Sequence, residues 1–208
     1  MRARAADSMS VRRGLALTTR LCWVLTVCLM GTPLPLGAGE TDPAQQTIGG
    51  DFSLTDHQGR PFALHDLRGK VVLLSFGYTY CPDVCPLTLS LSAQVIASLG
   101  ERGRDVIPVF VSLDPKRDSP EVLARYVRYF HPAMIGLTGS SEQLARVADL
   151  YKARFAFQGD LQGDRYTLDH TASLYVLNRS GEVASIVPFG LPIEHIVEQV
   201  EKLLPAAT

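Results

Sequence analysis

From residue 52 onward the apolar positions of this chain alternate between two periods. Residues 52–55 and 61–64 alternate apolar and polar around the turn 56–59, which predicts a short N-terminal hairpin. The run 71–76 is apolar almost throughout, as a strand buried on both faces requires, and 105–113 repeats the pattern. A third strand is expected at 134–137. Between these runs the spacing changes to that of helices. Leu87, Leu89, Leu91, Val95, Ile96 and Leu99 share one helical face. Residues 118–121 open a second helix with a capping side chain and Pro120 in its first turn, and Tyr126, Val127 and Phe130 continue it. Ser140 and Gln143 form a capping-box pattern that starts a third helix, ending at Leu150 or Tyr151. Strands at 172–177 and 182–187 flank the turn 178–181, and 193–204 closes the chain as an amphipathic helix. The polar insert 159–164 reads as a hairpin turn or loop. Strands alternating with helices imply an α/β fold: a parallel centre with antiparallel edges, hence a central mixed sheet flanked by helices.

The first 39 residues follow another logic. Arg2, Arg4, Arg12, Arg13 and Arg20 precede an uncharged stretch, 21–38, whose first ten residues are apolar almost throughout. Small residues and prolines follow, the order of a secretory signal, with cleavage expected near Ala38. The stretch is just long enough for a membrane anchor, but Pro33 and Pro35 interrupt its second half, so the signal peptide ranks first. A mitochondrial presequence ranks below both, because the apolar run is continuous rather than amphipathic. Residues 1–39 are therefore assigned as signal peptide or membrane anchor, 40–50 as a linker and 51–208 as the folded domain. The expected location is the periplasm, either released or facing it from the membrane.

Composition narrows the field. A chain of 208 residues with 46% hydrophobic content can bury one substantial core once the N-terminus is set aside. A net charge of -1 gives no basis for nucleic-acid binding.

Candidate chemistry rests on cysteine. Cys22 and Cys28 lie in the targeting segment and read as apolar filler, which leaves the exported domain with Cys81 and Cys85. They sit at a strand-to-helix turn in the run GYTYCPDVCP, residues 77–86. Pro86 disfavours helical backbone at Cys85, so the helix is expected at or just after Pro86. The helix N-terminus would then lower the Cys85 thiol pKa, with Cys81 in the loop. Such a pair can exchange electrons or hold a soft metal ion, and in an oxidising compartment it would form a disulfide. Three intervening residues, against the two of redox Cys-x-x-Cys motifs, permit a wider bite on an ion. Of the five histidines, His57, His65, His131 and His195 read as surface or cap residues. His170, just before the strand 172–177, can face the first strand-to-helix turn. Imidazole with two thiolates suits Cu(I). Zn(II) would want a fourth ligand, for which Asp83 and Asp169 are available.

The runs GYTYCPDVCP at 77–86, VSLDPKRD at 111–118, IGLTG at 135–139 and DHT at 169–171 together resemble the Sco/SenC family, which serves assembly of the copper centre of cytochrome c oxidase. The likeness runs from about Gly50 to Leu204. It implies a thioredoxin-like domain over 51–208, a copper ion as cofactor, and Cys81, Cys85 and His170 as its ligands. It places Asp169 and His170 where thioredoxins carry a cis-proline, a residue this chain lacks there. It also marks Asp83, Asp114 and Asp169 as residues that support the ligands or face a partner. Tyr80 stands where several relatives have histidine, so no auxiliary ligand is expected from it. The implied partner is the copper-bearing subunit of cytochrome c oxidase, with other copper carriers or thiol reductants as further partners.

Two functions compete. As a metallochaperone the chain would bind Cu(I) and pass it on by thiolate exchange, and it would not be an enzyme. As a thiol–disulfide reductase it would keep the acceptor's cysteines reduced, with Cys81 and Cys85 as the redox pair. A peroxidase reading fails because the motif lacks a Thr-x-x-Cys arrangement.

Overall fold

The computed structural model describes residues 47–163 and 165–206. The assignments made for residues 1–39, Cys22 and Cys28 included, and for the first part of the linker lie outside them. In chain order the elements are β1 (Ser53–Asp56), β2 (Pro61–Ala63), β3 (Val71–Gly77), α1 (Val84–Ser98), β4 (Val106–Ser112), α2 (Pro120–Phe130), β5 (Ile135–Thr138), α3 (Ser141–Leu150), β6 (Phe155–Gly159), β7 (Tyr166–His170), β8 (Ser173–Leu177), β9 (Val183–Pro188) and α4 (Ile193–Glu201). Among the described residues no helix is long and apolar enough to cross a membrane.

Seven strands form one mixed sheet in the order β2-β1-β5-β4-β3-β8-β9. β3, β4 and β5 are parallel, while β1, β8 and β9 run antiparallel to their neighbours. β1 and β2 pair antiparallel, Leu54 opposite Phe62. β3 lies between β4 and β8 and is buried along its whole length, which is why its sequence shows no alternation. Its side chains divide by parity. Val72, Leu74 and Phe76 join Leu144, Val147 and Ala148 of α3 on one face. Val71 and Leu73 pack with Val95 and Ile96 of α1 and Ile196 and Val200 of α4 on the other. Leu89 of α1 meets Leu123 and Val127 of α2 beside Phe110. The expected mixed sheet flanked by helices is what forms.

Element ends follow local chemistry. Ser119 caps α2 by accepting from Val122 N, with Pro120 in the first turn. Ser140 and Gln143 close the expected capping box on α3. The start of α1 differs from expectation: the helix begins at Val84, two residues before Pro86. The first N–H groups of a helix have no internal acceptor, so a proline in the first turn removes nothing needed.

A second departure bears on function. The polar insert expected at 159–164 as a hairpin turn or loop joins two strands that the sequence does not predict, β6 and β7, which form a separate two-stranded ribbon. His170 is consequently the last residue of a strand, paired with Phe155, and not a loop residue. On β7, Tyr166 and Leu168 face inward while Thr167 and Asp169 are exposed.

The far end of the domain is tied by Tyr151, which is fully buried. Its ring meets Phe52, Phe76 and Tyr175 at centroid distances of 5.9, 5.7 and 5.6 Å, and its hydroxyl donates to Gly50 O at 3.1 Å. Gly49 N donates to Leu150 O, so the end of the expected linker is hydrogen-bonded to α3. Tyr151→Phe keeps the ring contacts and leaves the Gly50 carbonyl without this donor. Urea unfolding should show a loss of about 1 kcal/mol, with the midpoint shifted and the slope unchanged.

Candidate metal centre

β3 ends at Gly77, and the chain must turn at once to enter α1. Cys81 N donates to Tyr78 O at 3.2 Å and closes the turn. Asp118 holds it from below: its carboxylate accepts from Thr79 N at 2.9 Å, Thr79 Oγ1 at 2.5 Å and Ser112 Oγ at 2.5 Å. Burial pushes the Asp118 carboxyl up, and those three hydrogen bonds act against the rise.

Cys85 occupies the first turn of α1 and is buried, its sulfur turned back onto β3. A side chain at residue 77 would not fit there: a Cβ on Gly77 would lie 2.3 Å from Cys85 Sγ and 3.0 Å from Phe110 Cε2. The glycine in the motif is thus the space the thiol occupies. Cys81 is half-buried in the loop, and both cysteines are free thiols.

His170 arrives from the other side on β7. Its Nδ1 sits 3.1 Å from Thr171 O and its Nε2 sits 3.1 Å from Cys85 Sγ. A carbonyl can only accept, so Nδ1 carries the proton and Nε2 presents a lone pair. Burial lowers the imidazole pKa, with the Thr171 carbonyl and Asp169 acting against it, and keeps the ring neutral. The Tyr78 ring stands edge-on to His170 at 6.0 Å. His170 also borders an open cleft of about 490 Å³ shared with Arg154, Phe155 and Asp169.

The donor atoms of Cys81, Cys85 and His170 all lie within 4.8 Å of one another, and they form the one such group among the described residues. Two ligands on a common ion at ~2.1–2.3 Å stand at most ~4.6 Å apart, so little closure is needed. Two thiolates and a neutral imidazole fit a soft, low-coordinate ion. The proposed fourth donors are not gathered. Asp83 is exposed at the N-cap of α1, where its side chain makes no capping bond, and Asp169 accepts from Gln158 on the outer face of β7. His57 and His131 accept from Gly136 N and Ala133 N, while His65 and His195 are exposed.

Asp114, expected to support the ligands or face a partner, is fully buried. It receives Arg117 Nε at 2.5 Å and the Tyr166 hydroxyl at 2.8 Å. Arg117 is buried as well, its Cζ 3.6 Å from the Tyr166 ring centroid, 4.7 Å from Tyr80 and 5.5 Å from Tyr78. Desolvated cation–π contacts of this kind contribute ~2 kcal/mol or more. Asp118, Arg117, Tyr78 and Tyr166 were not singled out by the sequence reading. The spacing of Asp114, Arg117 and Asp118 in one short loop was the available sign.

The family model described as SCO1/SenC matches residues 40–205. This chain belongs to the SCO1/SenC family. A SCO2-like protein of Rickettsia felis is 41% identical over 136 residues, 65% of this chain and 66% of that one. The mitochondrial SCO2 homolog of Mus musculus is 40% identical over 166 residues, 78% of this chain and 65% of that one. The chain thus spans about two thirds of the length of these relatives. Among solved structures, Arabidopsis thaliana ScoI with copper bound aligns at a TM-score of 0.69 and 34% identity, covering 74% of this chain and 99% of that one. Bradyrhizobium japonicum ScoI with copper bound aligns at 0.69 and 36%, covering 76% and 99%. The fold is thioredoxin-like, as the resemblance implied. Relatives include mitochondrial proteins and a Bacillus anthracis lipoprotein.

The structure reverses one expectation about reactivity. The first turn of α1 should favour a Cys85 thiolate, but burial dominates and pushes the thiol well above the ordinary cysteine range. Neighbouring Cys81 adds to the rise, and a hydrogen bond from the Tyr78 backbone acts against it. Single-cysteine variants alkylated across pH should show the half-exposed Cys81 reacting faster at pH 8, by about tenfold or more. Gly77→Ala should lower stability by about 1–3 kcal/mol in urea unfolding and speed alkylation of the displaced Cys85.

Proposed function

We propose that this protein is a copper carrier that takes Cu(I) on Cys81, Cys85 and His170 and delivers it to the copper-bearing subunit of cytochrome c oxidase. The observation that carries this reading is the placement of a neutral His170, its Nε2 lone pair 3.1 Å from Cys85 Sγ, beside two thiols. The copper-bound relatives and the family's link to oxidase assembly support it. Copper is the cargo. Two thiolates and one monovalent ion leave a net -1, which the half-exposed Cys81 shares with solvent. Cys81, the ligand in the loop, is the first to exchange with an acceptor thiolate. Cys85 and His170 then hold the ion until a second exchange completes the transfer. The domain is exported, acts in the periplasm or on its face of the membrane, and meets other copper carriers or thiol reductants there.

A second reading has its own observation. The two thiols interact directly, so the pair can close to a disulfide while a disulfide on the acceptor opens to two thiols. That reaction moves two electrons and two protons and has no use for His170. Histidine therefore separates the readings.

X-ray absorption of the reduced protein with one equivalent of Cu(I) should show two sulfurs and one nitrogen. His170→Ala should lose the nitrogen and weaken Cu(I) binding by about tenfold or more. In cells lacking the wild-type protein and limited for copper, His170→Ala and Cys81→Ser should both fail to restore the oxidase. A folded His170→Ala that restores it fully, while Cys81→Ser does not, would make the protein a reductase.

A further inference from the structure

The two arms of the candidate centre come from different layers of the fold. Cys81 and Cys85 belong to the turn between β3 and α1, and His170 to the β6–β7 ribbon, which is not hydrogen-bonded into the main sheet. Something must fix the distance between them. The groups that do so converge on one side chain. Arg117 Nη1 donates to Tyr166 O at 3.0 Å and Nε to Asp114 Oδ2, while Tyr166 returns its hydroxyl to Asp114 Oδ1. One carboxylate and one guanidinium thereby grip both the backbone and the ring of Tyr166. Lys116 Nζ adds a bond to Gly163 O, at the turn of the same ribbon.

The guanidinium also reaches the cysteine turn. Its Cζ lies 5.5 and 4.7 Å from the ring centroids of Tyr78 and Tyr80, in the stretch that leads into Cys81. Tyr78 carries the link onward: its ring abuts His170 and the Leu168 backbone hydrogen-bonds its hydroxyl. Three tyrosine rings lie within 5.5 Å of the guanidinium carbon, a setting that suits a flat cation better than a point charge. Tyr166, Leu168 and His170 share one face of β7, so a shift at Tyr166 is transmitted along a single strand to His170.

We propose that Arg117 is a positioning residue: packed against both Tyr166 and the Tyr78–Tyr80 turn, it sets the separation of His170 from the two thiols. It touches no ligand and acts through Tyr78 and Tyr166. The inference rests on the copper reading only for its metal-binding test, since its structural half concerns the metal-free protein.

Arg117→Lys tests it, keeping the charge beside Asp114 but losing the plane and the bond to Tyr166 O. Tyr166→Phe is the milder companion, removing only the hydroxyl to Asp114. In the metal-free protein, hydrogen exchange of the β6–β7 amides should quicken by about tenfold in Arg117→Lys, with β3 and β4 unchanged. With Cu(I), the two-sulfur signature should remain while the histidine nitrogen is reduced, and binding should weaken by about tenfold. That loss should vanish when Arg117→Lys is placed on His170→Ala, because the group it positions is gone. Unchanged ribbon exchange, a full nitrogen signal or losses that simply add would each overturn the proposal. If Arg117→Lys does not fold, the same three outcomes are read from Tyr166→Phe. Wild-type protein that binds no Cu(I) would defeat the copper reading alone, and the exchange comparison would still decide the role of Arg117.

Discussion

The structure turns on the seating of one sulfur. Cys85 Sγ occupies the volume that any side chain at residue 77 would fill, so α1 can approach the end of β3 only because that strand ends in glycine. Everything nearby is arranged around this approach. The Thr79 turn is short because it joins two elements in contact, and Asp118 is buried because that turn needs an acceptor for Thr79 N. His170 meets Cys85 because the sulfur is fixed to the sheet and does not swing with the loop.

This seating sets two electrostatic effects against each other. A helix N-terminus favours a thiolate by less than about 2 kcal/mol. Desolvating the anion against Phe110 and β3 costs more, and the thiol stays protonated at neutral pH. A buried thiol beside a neutral imidazole is a poor nucleophile but a good site for a soft cation, because binding the ion releases the proton and cancels charge locally. The same burial slows free thiol chemistry at Cys85, while the neutral His170 stands ready beside it as a third donor.

Much of this was legible in the sequence, for identifiable reasons. The continuous apolar runs of β3 and β4 could be nothing but buried parallel strands, and Ser140 with Gln143 announced α3. The two thiols and His170 were picked out by residue type and by their place at element ends. What escaped was whatever depends on tertiary contact. β6 buries almost nothing, so its Phe155–Phe157 alternation carried little weight beside a turn rich in Gly and Asp. Asp118 stands in sequence at the opening of α2, and nothing there shows that its carboxylate reaches across to Thr79. Arg117 carries no sign of burial in the sequence, and only the packing of three tyrosine rings shows it. The reversed reactivity of Cys85 has the same origin: a helix terminus is visible in sequence, and desolvation is not.

The unequal embedding of the three donors gives the centre a direction. Cys85 is held on four sides, by Gly77, Phe110, the Tyr78 amide and His170. His170 is held by its neighbour's carbonyl and by a ribbon anchored four residues away at Tyr166. Cys81 sits in the turn at the edge of the core, and it is the cysteine with solvent access. An ion on these donors is least enclosed on the Cys81 side, so an incoming soft ligand meets that bond first while the others keep the ion from escaping. For a carrier this ordering matters more than raw affinity, because cargo bound equally by three buried groups would leave no bond for an acceptor to replace. Under the proposed carrier role, the burial gradient from Cys85 to Cys81 would order the transfer into steps, and that gradient follows from a glycine at the end of β3.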